Sequence, residues 1–364
     1  MGRDWRVDTL RGYFLVAMTL GHFPNPLAPY TEYTFGYASS PDGFVFLSGL
    51  VATWVYLPVM QRRGPSAMVS KVFRRAGTIY VTHILLLVVG LLAAVATHHA
   101  ARLLQTFVLG ALLWNQVGFD RILPMYCVFL ACTPLVLKQF TEGHAWLIAV
   151  ISGSLWLCAQ FGVGDWGSSA GASQATFNLF AWQAYFVAGQ YLGYRGLRST
   201  EGSVRKSPIL LTACVVVAVL LMIDRHLLSL WGVNPRLGFT AHPDHNPARF
   251  LDAACLGYLI SWIPRGADLA AMELRLFRFL NLLGRHSLQV FAFSMVITRF
   301  EAHTINDFSS GAKLIVALLT VLSLGFPAWL HQYFRERGLA IAPIQDPEKK
   351  LALPVVQFES NLPT

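Results

Sequence analysis

Charge is what this chain has least of. Asp, Glu, Lys and Arg make up 13% of its 364 residues, against 55% hydrophobic residues, where a soluble domain carries about 25% charged residues. With a mean hydropathy of +0.50, a water-soluble fold is excluded and a polytopic membrane protein is expected. Cysteine is also sparse. Cys127, Cys132, Cys158, Cys214 and Cys255 all lie in apolar segments without CxxC pairing, so neither a disulfide framework nor a metal site is expected, and the redox compartment stays open. Arg3 and Arg6 precede the first apolar run, yet no small-residue cleavage pattern follows, so this run reads as a retained signal-anchor. Position 6 is Arg, so Met1-Gly2 does not begin a myristoylation motif. Ser48 lacks a GxSxG setting, and Ser48-Gly49 reads as close helix packing. Internal repeats, low-complexity tracts and signs of a second soluble domain are absent from the sequence.

What is there is a series of apolar stretches: 11–23, 43–60, 75–97, 121–138, 145–162, 176–194, 207–231, 249–264, 285–302 and 311–334, with a further run at 103–118. The net charge of +9 resides in short Lys/Arg runs between these stretches, which is how topology is set at a cytoplasmic face. No nucleic-acid partner is implied; membrane lipid is. Placing the N-terminus inside puts the 24–42 loop, free of Lys and Arg, outside, and Arg62, Arg63, Lys71, Arg74 and Arg75 inside. The cluster Arg195, Arg198, Arg205 and Lys206 falls inside only if 103–118 does not cross. The expectation is therefore an all-α bundle of ten transmembrane helices with both termini cytoplasmic. The run 103–118 becomes a re-entrant or interfacial helix on the outer side, tolerable where protein covers its backbone. Residues 1–340 read as one membrane-embedded domain, and 341–364, with Pro343, Pro347, Pro354 and Pro363, as an irregular cytoplasmic tail.

The stretch DTLRGYFLVAMTLGHF, from Asp8 to Phe23, carries ionisable groups into an otherwise apolar helix. His22 is eleven steps along the helix from Arg11, about three turns, so the two lie within about 20° of one face and roughly 16 Å apart. Ionisable groups at membrane depth are functional candidates by default. The plainer alternative is an anchor arginine and a histidine bonded to a backbone carbonyl. Pro24, Pro26 and Pro29 end the helix soon after His22, which places the imidazole at the floor of an outward vestibule. Asp42, opening the second span near that level, reads either as the carboxylate that orients a general-base histidine or as a helix cap.

At the inner face Lys71, Arg74 and Arg75 share one side of a helix, an arrangement suited to phosphates or to topology anchoring. Tyr80 and His83 are neighbours one to two turns deeper, and Arg285, His286 and Ser287 open the ninth span from the same side. Asn178, Trp182 and Gln183 enter the sixth span from outside, where they suit a sugar or a helix-to-helix hydrogen bond. The HPDHN sequence at 242–246 is no recognised metal-ligand frame, and no metal is assigned.

R-x10-H at Arg11 to His22, an Asp six residues before Ser48-Gly49, and a basic cluster opening the third helix resemble the type-three family of integral-membrane acyltransferases. RDWRVDTLRG, GHFPNP, FGYASSPDGFVFLSGLVA, FNLFAWQAYFVAGQYLGY and LGRHSLQVF are similar, more narrowly, to the OpgC-type proteins assigned to succinylation of osmoregulated periplasmic glucans. The resemblance implies a ten-helix enzyme of the bacterial inner membrane that passes acyl groups from cytoplasmic acyl-CoA to a glycan outside. It implies site roles for Arg11, His22, Asp42 and Arg74. The R-x-x-R usual in that family reads Lys71-Val72-Phe73-Arg74 here, and the carboxylate at the start of its fourth span is Asp120. Acyl-CoA, succinyl-CoA by resemblance, is a co-substrate; no permanently bound cofactor is expected, and a homo-oligomer is left open. A transporter or flippase for an anionic substrate is the alternative, though the chain lacks the inverted halves and paired broken helices of many transporters.

Overall fold

The computed structural model describes residues 4–31, 34–96, 103–113, 122–163, 178–198, 206–227, 247–263 and 274–337. The expected tail at 341–364, the HPDHN sequence, Arg205, Asp120 and most of the loop at 163–175 lie outside the described residues. Among these residues the secondary structure is entirely helical. In order, the helices are α1 (Trp5–Leu20), α2 (Ala28–Thr31), α3 (Ser40–Arg63), α4 (Pro65–Ala96), α5 (Leu103–Ala111), α6 (Ile122–Thr141), α7 (Ala145–Ala159), α8 (Leu179–Arg198), α9 (Pro208–Met222), α10 (Pro247–Ser261), α11 (Arg275–Arg285), α12 (Ser287–Thr304), α13 (Ser310–Ser323) and α14 (Gly325–Glu336). The last turn of α9 runs on as a π-helix, Ile223–Leu227.

Among the described residues, five segments are long and apolar enough to cross a membrane: Ser40–Arg63, Pro65–Ala93, Ile122–Thr141, Pro208–Leu227 and Ser310–Glu336. Sequence reading anticipates ten. The shortfall has a physical reason in helices such as α1, whose 16 residues rise about 24 Å, less than the roughly 30 Å hydrocarbon layer. The expected ninth span at 285–302 corresponds to α12, which starts two residues later, and a further helix precedes it. Arg275–Arg285 is a separate amphipathic helix, and α12 starts after it at Ser287. The expected tenth is two helices meeting at Leu324.

Local signals account for the ends that matter. Asp4 caps α1 by accepting the Arg6 N–H at 3.1 Å, so the helix starts six residues before the expected span. Ser39 and Asp42 form a capping box at the start of α3, with Pro41 in its first turn, and Gly64 at φ 85° ends it. Helix association here cannot rest on burying apolar surface from water, since lipid tails are as apolar as leucine; small residues that admit close backbone approach matter more. The α3–α8 pair shows this. A Cβ built on Gly49 would lie 2.0 Å from the Phe186 carbonyl oxygen, and one on Gly189 2.0 Å from that of Phe46. Apolar side chains face outward where no helix covers them: Val81, Leu85 and Leu92 on α4, Ile209 and Leu220 on α9, Ile315 and Leu322 on α13. That is the inside-out pattern of a lipid-facing surface.

Candidate functional site

His22 sits two residues beyond α1, its backbone N–H on the Thr19 carbonyl at 3.1 Å. Its ring Nδ1 is hydrogen-bonded to the Met18 carbonyl. A carbonyl only accepts, so Nδ1 carries the proton and Nε2 the lone pair. The ring is half-buried. The group that fixes its tautomer is thus a backbone carbonyl of its own helix, with no carboxylate involved in that bond.

Three turns below, the Arg11 guanidinium donates to Ser287 Oγ at 2.7 Å and lies 5.4 Å over the Phe44 ring. Phe44 meets Tyr126 edge to face at 6.2 Å, and the Tyr126 hydroxyl bonds Ser48 Oγ at 3.1 Å. Helices α1, α3, α6 and α12 therefore deliver one polar cluster to the interior.

The register of α3 against α1 decides where Asp42 lies. Phe44 stacks on Arg11, a Cβ on Gly43 would meet Phe14 Cζ at 2.2 Å, and Val7 packs with Leu47 and Leu50. Asp42 is thus opposite Phe14, four residues or about 6 Å of helix rise before the Met18 residue whose carbonyl holds the imidazole. Asp42, fully buried, accepts the Ser39 N–H at 2.7 Å and pairs with Arg249 Nε at 2.8 Å. It takes the helix-cap role, with an arginine partner that sequence reading missed.

That arginine belongs to a larger cluster around the start of α3. Arg249 donates to Ser39 Oγ at 2.5 Å and stacks 5.3 Å over Trp182. Asp252, one turn along α10, accepts the N–H groups of Tyr37 and Ala38 at 2.7 and 2.9 Å. The Tyr37 hydroxyl donates to Asp224, and Arg225 lies 5.7 Å over the Tyr37 ring. A signal existed: Asp224-Arg225 and Arg249-x-x-Asp252 put charges inside stretches read as spans, which is where polar groups demand partners. Of the three residues expected on the outer side, only Trp182 joins the cluster. Asn178 caps α8, accepting from Phe180 and Ala181 N–H at 2.9 and 3.1 Å. Gln183 ties α8 to α7 through Ser152, accepting from its hydroxyl and donating to its carbonyl, both at 2.8 Å.

In the first turns of α4 Arg74 and Arg75 are exposed and Lys71 half-buried. His286 Nδ1 lies 2.9 Å from His331 Nδ1, so one of the two nitrogens donates and the other accepts. His331 is within electrostatic reach of Arg75 and Arg335, and Tyr56 within that of Arg75. His331 is a second addition; nothing in its sequence setting distinguishes it from a lipid-facing residue of the last span. Arg285 is exposed beside this group. Tyr80 and His83 point elsewhere. The Tyr80 hydroxyl donates to the Ala111 carbonyl at 2.9 Å, and His83 Nε2 meets the Gly110 carbonyl at 3.0 Å. Both side chains hold the C-terminal end of α5 against the middle of α4 and stand apart from the basic group. Among the described residues no group of three His, Cys, Asp or Glu side chains could hold a metal ion.

The family described as OpgC protein matches residues 3–336. The chain therefore belongs to that family. None of the curated proteins matches it.

Proposed function

We propose that this chain moves an acyl group, succinyl in our reading, from cytoplasmic acyl-CoA to a hydroxyl of a periplasmic glucan, with His22 as general base. Membership of the OpgC family supports a glucan-modifying, acyltransferase-like membrane protein; donor, acceptor, base and inner-membrane location are our own extension. The observation that carries it is the His22 tautomer. With Nδ1 held by the Met18 carbonyl, Nε2 is the basic nitrogen, just past the end of the helix that carries Arg11.

In this reading the coenzyme A phosphates rest on Lys71, Arg74 and Arg75, with Arg285 and His286 alongside, and the thioester arm rises past Arg11. Nε2 takes the proton of the sugar hydroxyl as its oxygen attacks the thioester carbonyl. The tetrahedral adduct collapses, the C–S bond breaks, and the departing thiolate recovers the proton from the imidazolium. Atoms and charge balance without a further reactant. A base with a pKa near operating pH contributes about 10²–10⁴-fold. Purified protein given acyl-CoA and a glucan should therefore transfer the acyl group, and His22→Gln should lose at least about two decades of that rate. Near-parental turnover by His22→Gln at saturating acceptor would remove the base assignment.

A further inference from the structure

Between α1 and α3 the chain returns from the outer side to the level of Phe14, and residues Thr34 to Ser39 form the last part of that descent. Side chains from three other helices converge on these six residues. Tyr13 of α1 bonds Thr34 at 3.2 Å between hydroxyls. Asp252 of α10 holds two consecutive backbone N–H groups, at Tyr37 and Ala38. Asp224, in the π-turn of α9, takes the Tyr37 hydroxyl. Arg249 takes Ser39 Oγ and Asp42 together. Asp42, Asp252, Arg249, Tyr37, Ser39 and Asp224 are all buried.

Such a clamp is a poor way to gain stability. Buried ion pairs rarely outperform apolar packing, whereas they do define a single geometry. The backbone is also shaped to admit it: Gly36 has φ +130°, and a Cβ there would lie 2.7 Å from Asp252 Oδ2. The next residues carry Phe44, the shelf under Arg11.

We infer that Asp252, with Arg249 and Asp224, positions the Thr34–Ser39 segment as the floor on which a glycan acceptor is presented to His22. The inference rests on the acyl-transfer reading. Asp252 does not touch the reacting atoms; it acts through the backbone of Tyr37 and Ala38. Releasing the floor disturbs the outer substrate and leaves the inner one alone.

Two measurements on the full chain test this. Asp252→Asn removes the charge that strengthens both N–H bonds, and a charge-assisted bond lost corresponds to about tenfold or more. With a purified glucan and acyl-CoA, the acceptor KM should rise by about that factor while the donor KM stays within about twofold. Asp252→Glu should not restore it, because a carboxylate carried one methylene further no longer meets the Tyr37 and Ala38 N–H groups together. Independently of activity, a cysteine at Ala38, in a background with Cys132 and Cys158 replaced by serine, should react faster with an impermeant thiol reagent once Asp252→Asn is added. Unchanged labelling overturns the clamp itself. Faster labelling with an unchanged acceptor KM, or with both KM values rising together, overturns its role toward the acceptor. Absence of any transfer by the parent, with faster labelling, would instead fault the acyl-transfer reading and with it the acceptor assignment.

Discussion

Replacing Gly284 by alanine tests the geometry that brings Arg11 to Ser287. Helices α1 and α11 cross with their backbones in contact: a Cβ on Gly284 would lie 1.7 Å from the Asp8 carbonyl oxygen, and one on Gly12 1.9 Å from that of Leu280. Both obstacles are backbone, so no rotamer change relieves them. To reach even a tight 3.0 Å, the contact at Gly284 must open from 1.7 Å by about 1.3 Å. Ser287 follows three residues later, and its 2.7 Å bond to Arg11 would then stretch toward 4.0 Å, beyond hydrogen-bonding range. Overpacking of this kind costs about 1–3 kcal/mol, and the lost bond to a charged donor about 1.5–3 kcal/mol. We expect Gly284→Ala to lower the thermal stability of detergent-purified protein and to reduce acyl transfer by about tenfold or more. Gly153→Ala is the control, since nothing lies within 4 Å of a Cβ there. Parental stability and turnover in Gly284→Ala would refute the close crossing and the placement of Arg11 derived from it.

Arg75→Ala should raise the acyl-CoA KM by about tenfold, as removal of a phosphate partner does, and leave the acceptor KM alone; equal donor binding in variant and parent would reduce the basic group to a topology anchor. Tyr80→Phe removes the hydroxyl that holds the Ala111 carbonyl, so it should free the end of α5 to proteolysis at unchanged donor KM, and a donor KM effect would return Tyr80 to the basic group. Impermeant reagent on intact cells should label a cysteine at Asn306 and spare one at Gly143, because that parity keeps the basic loops on one side; the reverse pattern sinks the ten-crossing topology.

How far the sequence could be read differs by element. The apolar runs of α3, α4, α6 and α9 were legible because length and composition alone make a span. Arg11 and His22 stood out because ionisable groups are costly in an apolar helix, and the Met18 carbonyl on the His22 ring is the partner that the plainer reading of that histidine anticipated. Two kinds of information were not legible. One is register: nothing in PDGFVFLSG says that Asp42 sits opposite Phe14, since that follows from how Gly43 admits the Phe14 ring. The other is long-range partnership. Arg249 finds Asp42 across 207 residues, and His331 finds His286 across 45. Residues with strong local duties, such as Asn178 capping α8, look the same in sequence as residues that face a ligand.

The register also shapes the chemistry. Asp42 Oδ2 is engaged by Arg249 and Ser39, and the hydrogen bond on the His22 ring is that of the Met18 carbonyl. A neutral carbonyl fixes the tautomer but stabilises the imidazolium less than a carboxylate would. A base supported in this way depends more on having the acceptor hydroxyl and the thioester already in line, since orientation can supply what proton affinity does not. Asp42→Asn then acts through the cap and the Arg249 pair. On the acyl-transfer reading its effect should appear in acceptor binding, with the pH dependence of turnover unmoved. A displaced pH profile in Asp42→Asn would show that the carboxylate communicates with His22 after all, and would return the second helix to the catalytic centre.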